Sequence, residues 1–400
     1  MKNLQIKELT LKNYCCFDDV KLNFTKDGES IHQWTVFLGN NNTGKTSILK
    51  AIAELRPYSV DMPSLKVKKK VNLKQEQAYI PVLLFNKNYK EYSAIANFSG
   101  LEKWGVDKGG SKLSTLPLEN LMHIYGYGVS RYPASTSLSQ DRRQPSETLF
   151  SADARLTNLE EWLMQLDYAS KNMVEAATER LDAIKRLICS RLFPEIQDFK
   201  FESSDELHNY VLFQTKDGWF RYTQLGYGYQ SMLSWIVDLC KRMFDAYPES
   251  QNPLHEGAIV LVDEIDLHLH PKWQRDIISY LTEAFPKVQF IVTTHSPLVI
   301  QSMEDINLYV LNRGDDGKVC IEKSEQSNYS GWTVEEILRD TMRLESGVYS
   351  DAYNEVLAKF NDGLDEDDKV KVEAAFEVLD KILHPNNPIR RMFKLQKDTM

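Results

Sequence analysis

Four hundred residues carry 48 Lys and Arg against 57 Asp and Glu, a formal net charge of −9, and 42% of them are hydrophobic. That share supports a large core and more than one simple domain, while the acidic balance excludes a surface built throughout as a nonspecific nucleic-acid clamp. No apolar run approaches the length of a membrane-spanning helix, and the five cysteines show neither a disulfide-framework spacing nor a paired zinc spacing.

The chain begins in strand-like sequence at 6–17 rather than in a signal-peptide pattern, so a cytoplasmic location is expected. Residues 33–38 read as a buried strand and 47–54 as a helix. Between them stands GxxxxGK[ST], whose glycines, Gly39 and Gly44, let the backbone curl and present bare N–H groups to phosphates. Lys45 supplies a cation, and the Thr46 hydroxyl suits Mg²⁺. The helix start adds its positive dipole. The expected cradle is Gly39, Asn40, Asn41, Asn42, Thr43, Gly44, Lys45, Thr46 and Ser47.

Residues 56–130 read as strands and loops, with antiparallel members at 78–85 and 92–98 and a polar loop at 105–114. Lysines at 66–74 alternate with apolar residues, as on an edge strand guarded against unwanted pairing. Arg131 ends an apolar strand. It either reaches a phosphate or braces the loop against nearby acids. From 156 to 193 the pattern is helical, with Leu159, Trp162, Leu163, Leu166, Leu181, Ile184, Leu187 and Ile188 on repeating faces. That stretch is too short for a coiled-coil arm. Strands are expected at 199–202, 210–214 and 219–222.

A Gly-Tyr-rich turn at 222–231, including Gly226, Gly228 and Gln230, precedes a helical run at 232–239; it either makes another anion-binding helix start or simply reverses the chain. The apolar strand 259–262 ends in Asp263 and Glu264. Alone these are solvated strand-end charges or catalytic acids. With the phosphate loop upstream, Asp263 becomes the expected Mg²⁺ holder and Glu264 the general base. A helix starts near Pro271, and the next strand ends at His295, on the carboxyl edge where open α/β sheets bind ligands. His268 and His270, alternating in an extended register, lack the further ligands of a zinc site.

Strands at 306–311 and 318–322 follow, joined by a turn containing Asp315 and Asp316. A metal-dependent nuclease site would need further strand-end acids, so none is expected. Thr333 to Glu336 forms a capping box opening a helix towards Leu344. Residues 362–368 read as an acidic hinge, and 370–383 as a helix. The basic segment 390–397, with Met392, Phe393 and Leu395, suits partner docking at least as well as nucleic acid.

This order of phosphate loop, long insertion, glycine-rich helix start, Val-Asp-Glu strand and Thr-His-Ser-Pro strand end resembles the ABC-type ATPase head of SMC and RecF proteins and of the overcoming-lysogenization-defect family. The resemblance implies an α/β P-loop NTPase of ABC-ATPase type with an antiparallel β lobe, a helical insertion and a helical C-terminal extension. The head would comprise 1–55 and 196–325, the β lobe 56–155, the helical insertion 156–195 and the interaction region 326–400. It also implies that Gly226, Gly228 and Gln230 lie in a signature loop capping ATP held by a second copy. Asp266, Leu267 and His268 would meet that copy, and His295 would be the switch histidine at the γ-phosphate. The family's signature serine is Gly226 here and its common glutamate is Tyr229, which implies slow hydrolysis. Gln140 and Gln144 are the candidates for the Mg²⁺-sensing glutamine.

Shorter phrases at 124–132, 147–151, 159–163, 225–231 and 330–338 are similar to the ATPase subunit of Septu-type anti-phage systems. That implies Mg-ATP hydrolysis, a homodimer through ATP with larger assemblies open, and an HNH-type nuclease partner in trans, sometimes within a retron. Direct DNA contact is left open, and the alternative is a RecF-like repair ATPase that binds DNA itself.

Overall fold

The computed structural model describes residues 5–27, 30–54, 123–134, 145–206, 208–314, 317–343 and 349–399, together with strand backbone within 80–98. The lysine-rich stretch 66–74, the loop 105–114, Gln140, Gln144, Asp315, Asp316 and Leu344 lie outside the described residues. Two compact units divide the chain, residues 1–332 and 333–400. The boundary thus falls a few residues later than the expected 325/326.

In the first unit, β1 (Ile6–Tyr14) and β2 (Phe17–Asn23) form a hairpin, and β3 (Trp34–Gly39) leads into α1 (Lys45–Ala53). Short strands β4 (Ile80–Val82), β5 (Asn86–Lys87) and β6 (Lys90–Glu91) precede β7 (Ser93–Phe98). β7 pairs antiparallel with both β1 and β4, giving a sheet in the order β2-β1-β7-β4. The sheet holds the expected antiparallel members within 78–85 and 92–98, but its other two strands, β1 and β2, come from the stretch 1–55 assigned to the head.

β8 (Ile124–Tyr127) corrects that expectation at one end. It falls inside the stretch 56–155 assigned to the lobe, yet it runs parallel to β12 (Ile259–Val262), with Ile124 opposite Ile259 and Tyr127 opposite Val262. It forms the edge of the central sheet, ordered β15-β14-β3-β13-β12-β8. Here β13 is Gln289–Thr294, β14 is Asn307–Arg313 and β15 is Val319–Lys323. Only β15 runs antiparallel, as the second arm of the expected hairpin. Every residue of β3, β12 and β13 is buried, which is why these strands are mostly apolar and why their polar members, Thr35, Gln289, Thr293 and Thr294, are buried too: a parallel sheet is covered on both faces.

Between β8 and β12 lie α2 (Glu147–Phe150), the helical pair α3 (Leu159–Lys171) and α4 (Glu175–Ile188), and a three-stranded sheet of β9 (Asp198–Ser203), β10 (Asn209–Thr215) and β11 (Gly218–Arg221). The long α5 (Tyr227–Ala246) follows. α6 (Pro271–Ala284) joins β12 to β13, and α7 (Pro297–Gln301) follows β13.

One core cluster joins the lobe to the sheet: Leu9, Leu11 and Phe17 pack with Ile48 and Ile52 of α1 and with Leu261, Ile291 and Leu311 of the central strands. A polar clamp reinforces it. The Gln289 side chain, fully buried, accepts the Ile6 N–H at 2.8 Å and donates back to the Ile6 carbonyl at 2.9 Å. Buried backbone groups need such partners, and this pair holds the start of β1 to the start of β13.

The second unit opens with the expected capping box, in which Thr333 and Glu336 bond reciprocally. The helix there, α8 (Val334–Glu336), passes at once into a π-turn, Ile337–Thr341. α9 (Asp351–Asp365), α10 (Lys369–Ile382) and α11 (Pro388–Thr399) pack around Phe360, Val372, Phe376, Leu379 and Phe393. The acidic stretch 362–368 is not a free hinge. Its first part is the last turn of α9, Asp367 takes a positive φ of 51°, and Asp368 caps α10 through Val370 and Lys371 N–H. In the basic segment, Arg390 is bonded to Asp380 at 2.7 Å and Phe393 is buried, while Met392 and Leu395 remain exposed. Among the described residues no helix is long and apolar enough to cross a membrane.

Candidate nucleotide site

The phosphate loop runs from the end of β3 into α1. Gly44 caps α1 with φ 90°, and a Cβ there would lie 2.5 Å from Cys16 Sγ and 2.7 Å from the Phe17 ring. The β1–β2 turn therefore presses on the loop and leaves no room for a side chain. Thr43 donates to the Asn40 carbonyl at 2.8 Å, closing the curl, and Asn42 takes φ 63°. Arg313, at the end of β14, donates to the Asn42 carbonyl at 3.0 Å. Lys45 Nζ reaches back to the carbonyls of Gly39 and Asn40, each at 2.8 Å. Burial pushes the Lys45 ammonium below its ordinary pKa, while Asp263, Glu264 and Asp266 pull it back up. Such an ammonium is parked on carbonyls that an anion can replace.

Asp263 stands at the end of β12, 5% exposed. The Thr46 hydroxyl donates to one of its carboxylate oxygens at 2.7 Å, and the Thr293 hydroxyl donates to the other at 2.6 Å. Thr293 also accepts the Glu264 N–H at 2.7 Å. A threonine of β13 thus ties the two acids of β12 together. Glu264 occupies the left-handed region at φ 48°. The adjacent Thr294 hydroxyl donates to Asp266 at 2.5 Å. His295 follows at the strand end, where burial first and the charge of Lys45 second push its imidazole below the ordinary value, against the pull of Glu264, Asp266 and Asp263. Its neutral form is favoured near pH 7.

Lys45, Thr46, Asp263, Glu264, Asp266 and His295 are therefore gathered at the carboxyl ends of β3, β12 and β13, at the edge where the sequence placed them. A hydroxyl and a carboxylate side by side form an oxygen donor set for a hard cation such as Mg²⁺, which completes its shell with phosphate oxygens and water. The lysine, the bare loop amides and the start of α1 suit polyphosphate. The residues present fit Mg-ATP.

Arg131 leaves β8 and turns inward, and its contacts decide between the two readings of it. They are backbone carbonyls: Nε donates to Gly128 at 2.8 Å, and one terminal nitrogen donates to both Asp263 and Glu264, the latter at 2.6 Å. The bracing role holds, although on carbonyls rather than on the acids themselves.

At the Gly-Tyr turn, Gly226 caps α5, which starts at Tyr227. Gln230 does not project freely. Its amide donates to the Leu225 carbonyl at 2.6 Å, closing its own turn. Tyr229, standing where the family's glutamate is common, packs on Trp273 with ring centroids 4.4 Å apart. Tyr227 is 73% exposed. The helix start leans on the loop after Glu264: a Cβ on Gly228 would come within 2.6 Å of the His268 carbonyl. His268 has φ 64°, so the extended register expected for His268 and His270 is absent. His270 instead caps α6, its Nδ1 accepting the Lys272 N–H at 3.3 Å. Among the described residues no group of three or more His, Cys, Asp or Glu is poised to hold a metal ion.

Sequence reasoning missed Thr293, Thr294, Arg313 and Asp238. The signal for the threonines was two adjacent hydroxyls ending an otherwise apolar strand. Asp238 is fully buried in α5, where it accepts from Tyr127 of β8 at 3.1 Å, from Arg242 at 2.6 Å and from the Thr157 hydroxyl at 2.6 Å. Burial alone would raise its pKa, but Arg242 and Thr157 hold it below the ordinary carboxylate value. Nothing in its helical sequence context marked it.

A family described as "AAA domain, putative AbiEii toxin, Type IV TA system" matches residues 128–301, and "AAA ATPase domain" matches 4–108. The fold is α/β, with a mostly parallel central sheet that carries the phosphate loop, as in AAA ATPase domains. The chain is similar to the Septu protein PtuA of Bacillus thuringiensis, 28% identical over 98% of each chain. It is 29% identical to the Septu protein PtuA of Bacillus mycoides over 83% of this chain, yet it spans only 44% of that protein's length. The SMC head domain from Thermotoga maritima aligns at 16% identity and a TM-score of 0.38, covering 82% of this chain and 100% of that one.

Proposed function

We propose that this chain, with its ABC-type P-loop fold and its Septu-like relatives, is the Mg-ATP-binding and hydrolysing subunit of a cytoplasmic anti-phage defence complex. It forms head-to-tail dimers across two shared ATP molecules and controls a partner nuclease of HNH type. The observation that carries the reading is the network in which Thr46 and Thr293 grip Asp263 from both sides while Thr293 holds the Glu264 N–H. When bound, Mg-ATP supplies an activated γ-phosphoryl group. Lys45 leaves its loop carbonyls for phosphate, Thr46 and Asp263 hold the cation, and Glu264 takes a proton from the attacking water. Neutral His295 hydrogen-bonds at the γ-phosphate.

The bare helix start at Gly226, where a Cβ would meet no other described residue within 4 Å beyond its neighbours in the chain and its own helix backbone, caps the phosphate held by a second copy. ATP is thereby interfacial, and assembly follows its binding and hydrolysis. Glycine at 226 and tyrosine at 229 remove a hydroxyl and a carboxylate from that contact, so turnover is slow.

The test is ATP hydrolysis and size-exclusion chromatography with Glu264→Gln and Lys45→Ala. Glu264→Gln should bind ATP, keep only a residual hydrolysis rate and run as an ATP-dependent dimer; Lys45→Ala should lose nucleotide binding. Normal hydrolysis by Glu264→Gln overturns the assignment. Co-purification with nucleotide present then identifies the nuclease and shows whether DNA accompanies it.

A further inference from the structure

Arg131 is 2% exposed, yet among the described residues its guanidinium hydrogen-bonds only to main-chain carbonyls, and its second terminal nitrogen has no partner. Burying a guanidinium is unfavourable by several kcal/mol as an order of magnitude, and the charges of Asp263, Asp266 and Glu264 offset part of that cost without any of these carboxylates bonding to it. What the side chain grips is specific. The two carbonyls that share its terminal nitrogen, those of Asp263 and Glu264, belong to the peptides on either side of the Glu264 Cα. Glu264 sits at φ 48°, a left-handed conformation that costs a residue with a Cβ roughly 1–2 kcal/mol. Its N–H is held by Thr293 from the other direction. Three polar groups flanking one strained Cα are fixed, and with them the direction in which the Glu264 side chain leaves the backbone.

We propose that Arg131 is a positioning residue for the Glu264 base: by gathering the two flanking carbonyls it holds the left-handed turn that aims the carboxylate. This rests on the ATPase reading above and goes beyond it. It makes edge strand β8, which carries no part of the phosphate cradle, a determinant of the chemical step. Asp238 of α5 accepts from Tyr127 at the end of the same strand, so the helix that begins at the signature turn and the base share one support.

The experiment measures affinity for a fluorescent ATP analogue and the maximal hydrolysis rate for wild type, Arg131→Met and Arg131→Lys, each alone and with Glu264→Gln. Arg131→Met should lower kcat by about 10–100-fold, the usual scale for removing a support behind a reacting group, with nucleotide affinity unchanged. Arg131→Lys keeps the charge but loses the fork, and should fall between. Combined with Glu264→Gln, Arg131→Met should cause no further loss, because both changes disable the same group. A wild-type kcat in Arg131→Met, a parallel loss of affinity, or an equal fold-loss in the Glu264→Gln background overturns the inference. If Arg131→Met does not fold, Arg131→Lys decides alone, and a wild-type kcat there is refuting. Absence of Glu264-dependent hydrolysis in wild type is a different failure: it sinks the ATPase reading before Arg131 is changed.

Discussion

Two glycines of the Gly-Tyr turn should respond in opposite ways to the same methyl group. At Gly228 the added Cβ would lie 2.6 Å from the His268 carbonyl oxygen, whereas ordinary contact begins at 3.4 Å, so the start of α5 and the loop after Glu264 must part by about 0.8 Å, the difference of those two distances. Helix propensity returns about 1 kcal/mol for Gly→Ala, and overpacking costs about 1–3 kcal/mol. The net effect on stability lies between neutral and a loss of about 2 kcal/mol. Function is more sensitive, because a misplacement near 1 Å can cost on the order of 10²-fold in rate. Gly228→Ala should therefore lose hydrolysis out of proportion to its shift in Tm. Among the described residues nothing lies within 4 Å of a Cβ at Gly226, so Gly226→Ala should melt like wild type. The signature serine that the resemblance implies at this position carries the same Cβ, so the ATP-dependent dimer should persist. Thermal melts, phosphate release and size-exclusion with and without ATP read all three quantities. A wild-type hydrolysis rate in Gly228→Ala, or an ATP dimer lost in Gly226→Ala, refutes the reasoning.

Three further outcomes follow from the polar clamps and from burial. Gln289→Met keeps the volume but orphans the Ile6 N–H and carbonyl, and denaturant unfolding should show a loss of about 1–3 kcal/mol for each group left unpaired; an unchanged midpoint would show that the lobe is held by its apolar core alone. Thr293→Val removes the tether shared by Asp263 and Glu264 and should lower hydrolysis more than it lowers Tm, whereas equal effects would mean the hydroxyl is purely structural. The third concerns pH. Burial lowers the His123 pKa from its ordinary 6.5, so the unfolded chain takes up this proton first as pH falls. Its contribution to stability is complete above pH 6.5 and is lost as pH drops towards the folded value. His123→Phe, keeping the ring against Tyr247, should flatten the acid limb of stability below that pH, and an unaltered slope would count against burial as the cause.

What could be read from residues alone was whatever depends on neighbours along the chain. The curl of Gly39 to Thr46, the apolar strand ending in Asp263 and Glu264, the Thr333 capping box and the Pro271 helix start are local devices, because backbone freedom, caps and strand periodicity act over a few residues. The order of these motifs was enough to imply the fold class. Partnerships across distant segments were not legible. Nothing in 124–127 marks β8 as the parallel neighbour of β12 rather than a lobe strand, since a short apolar run pairs equally well in either setting. Arg131 could have faced phosphate or backbone, and only the folded position of β12 put two carbonyls within its reach. Thr293 and Gln289 looked like polar interruptions in a buried strand until tertiary packing set Asp263 and Ile6 beside them. The members of the candidate site were written in the chain. Their supports were decided only by packing, because a buried polar side chain takes its meaning from whichever unsatisfied group the fold brings to it.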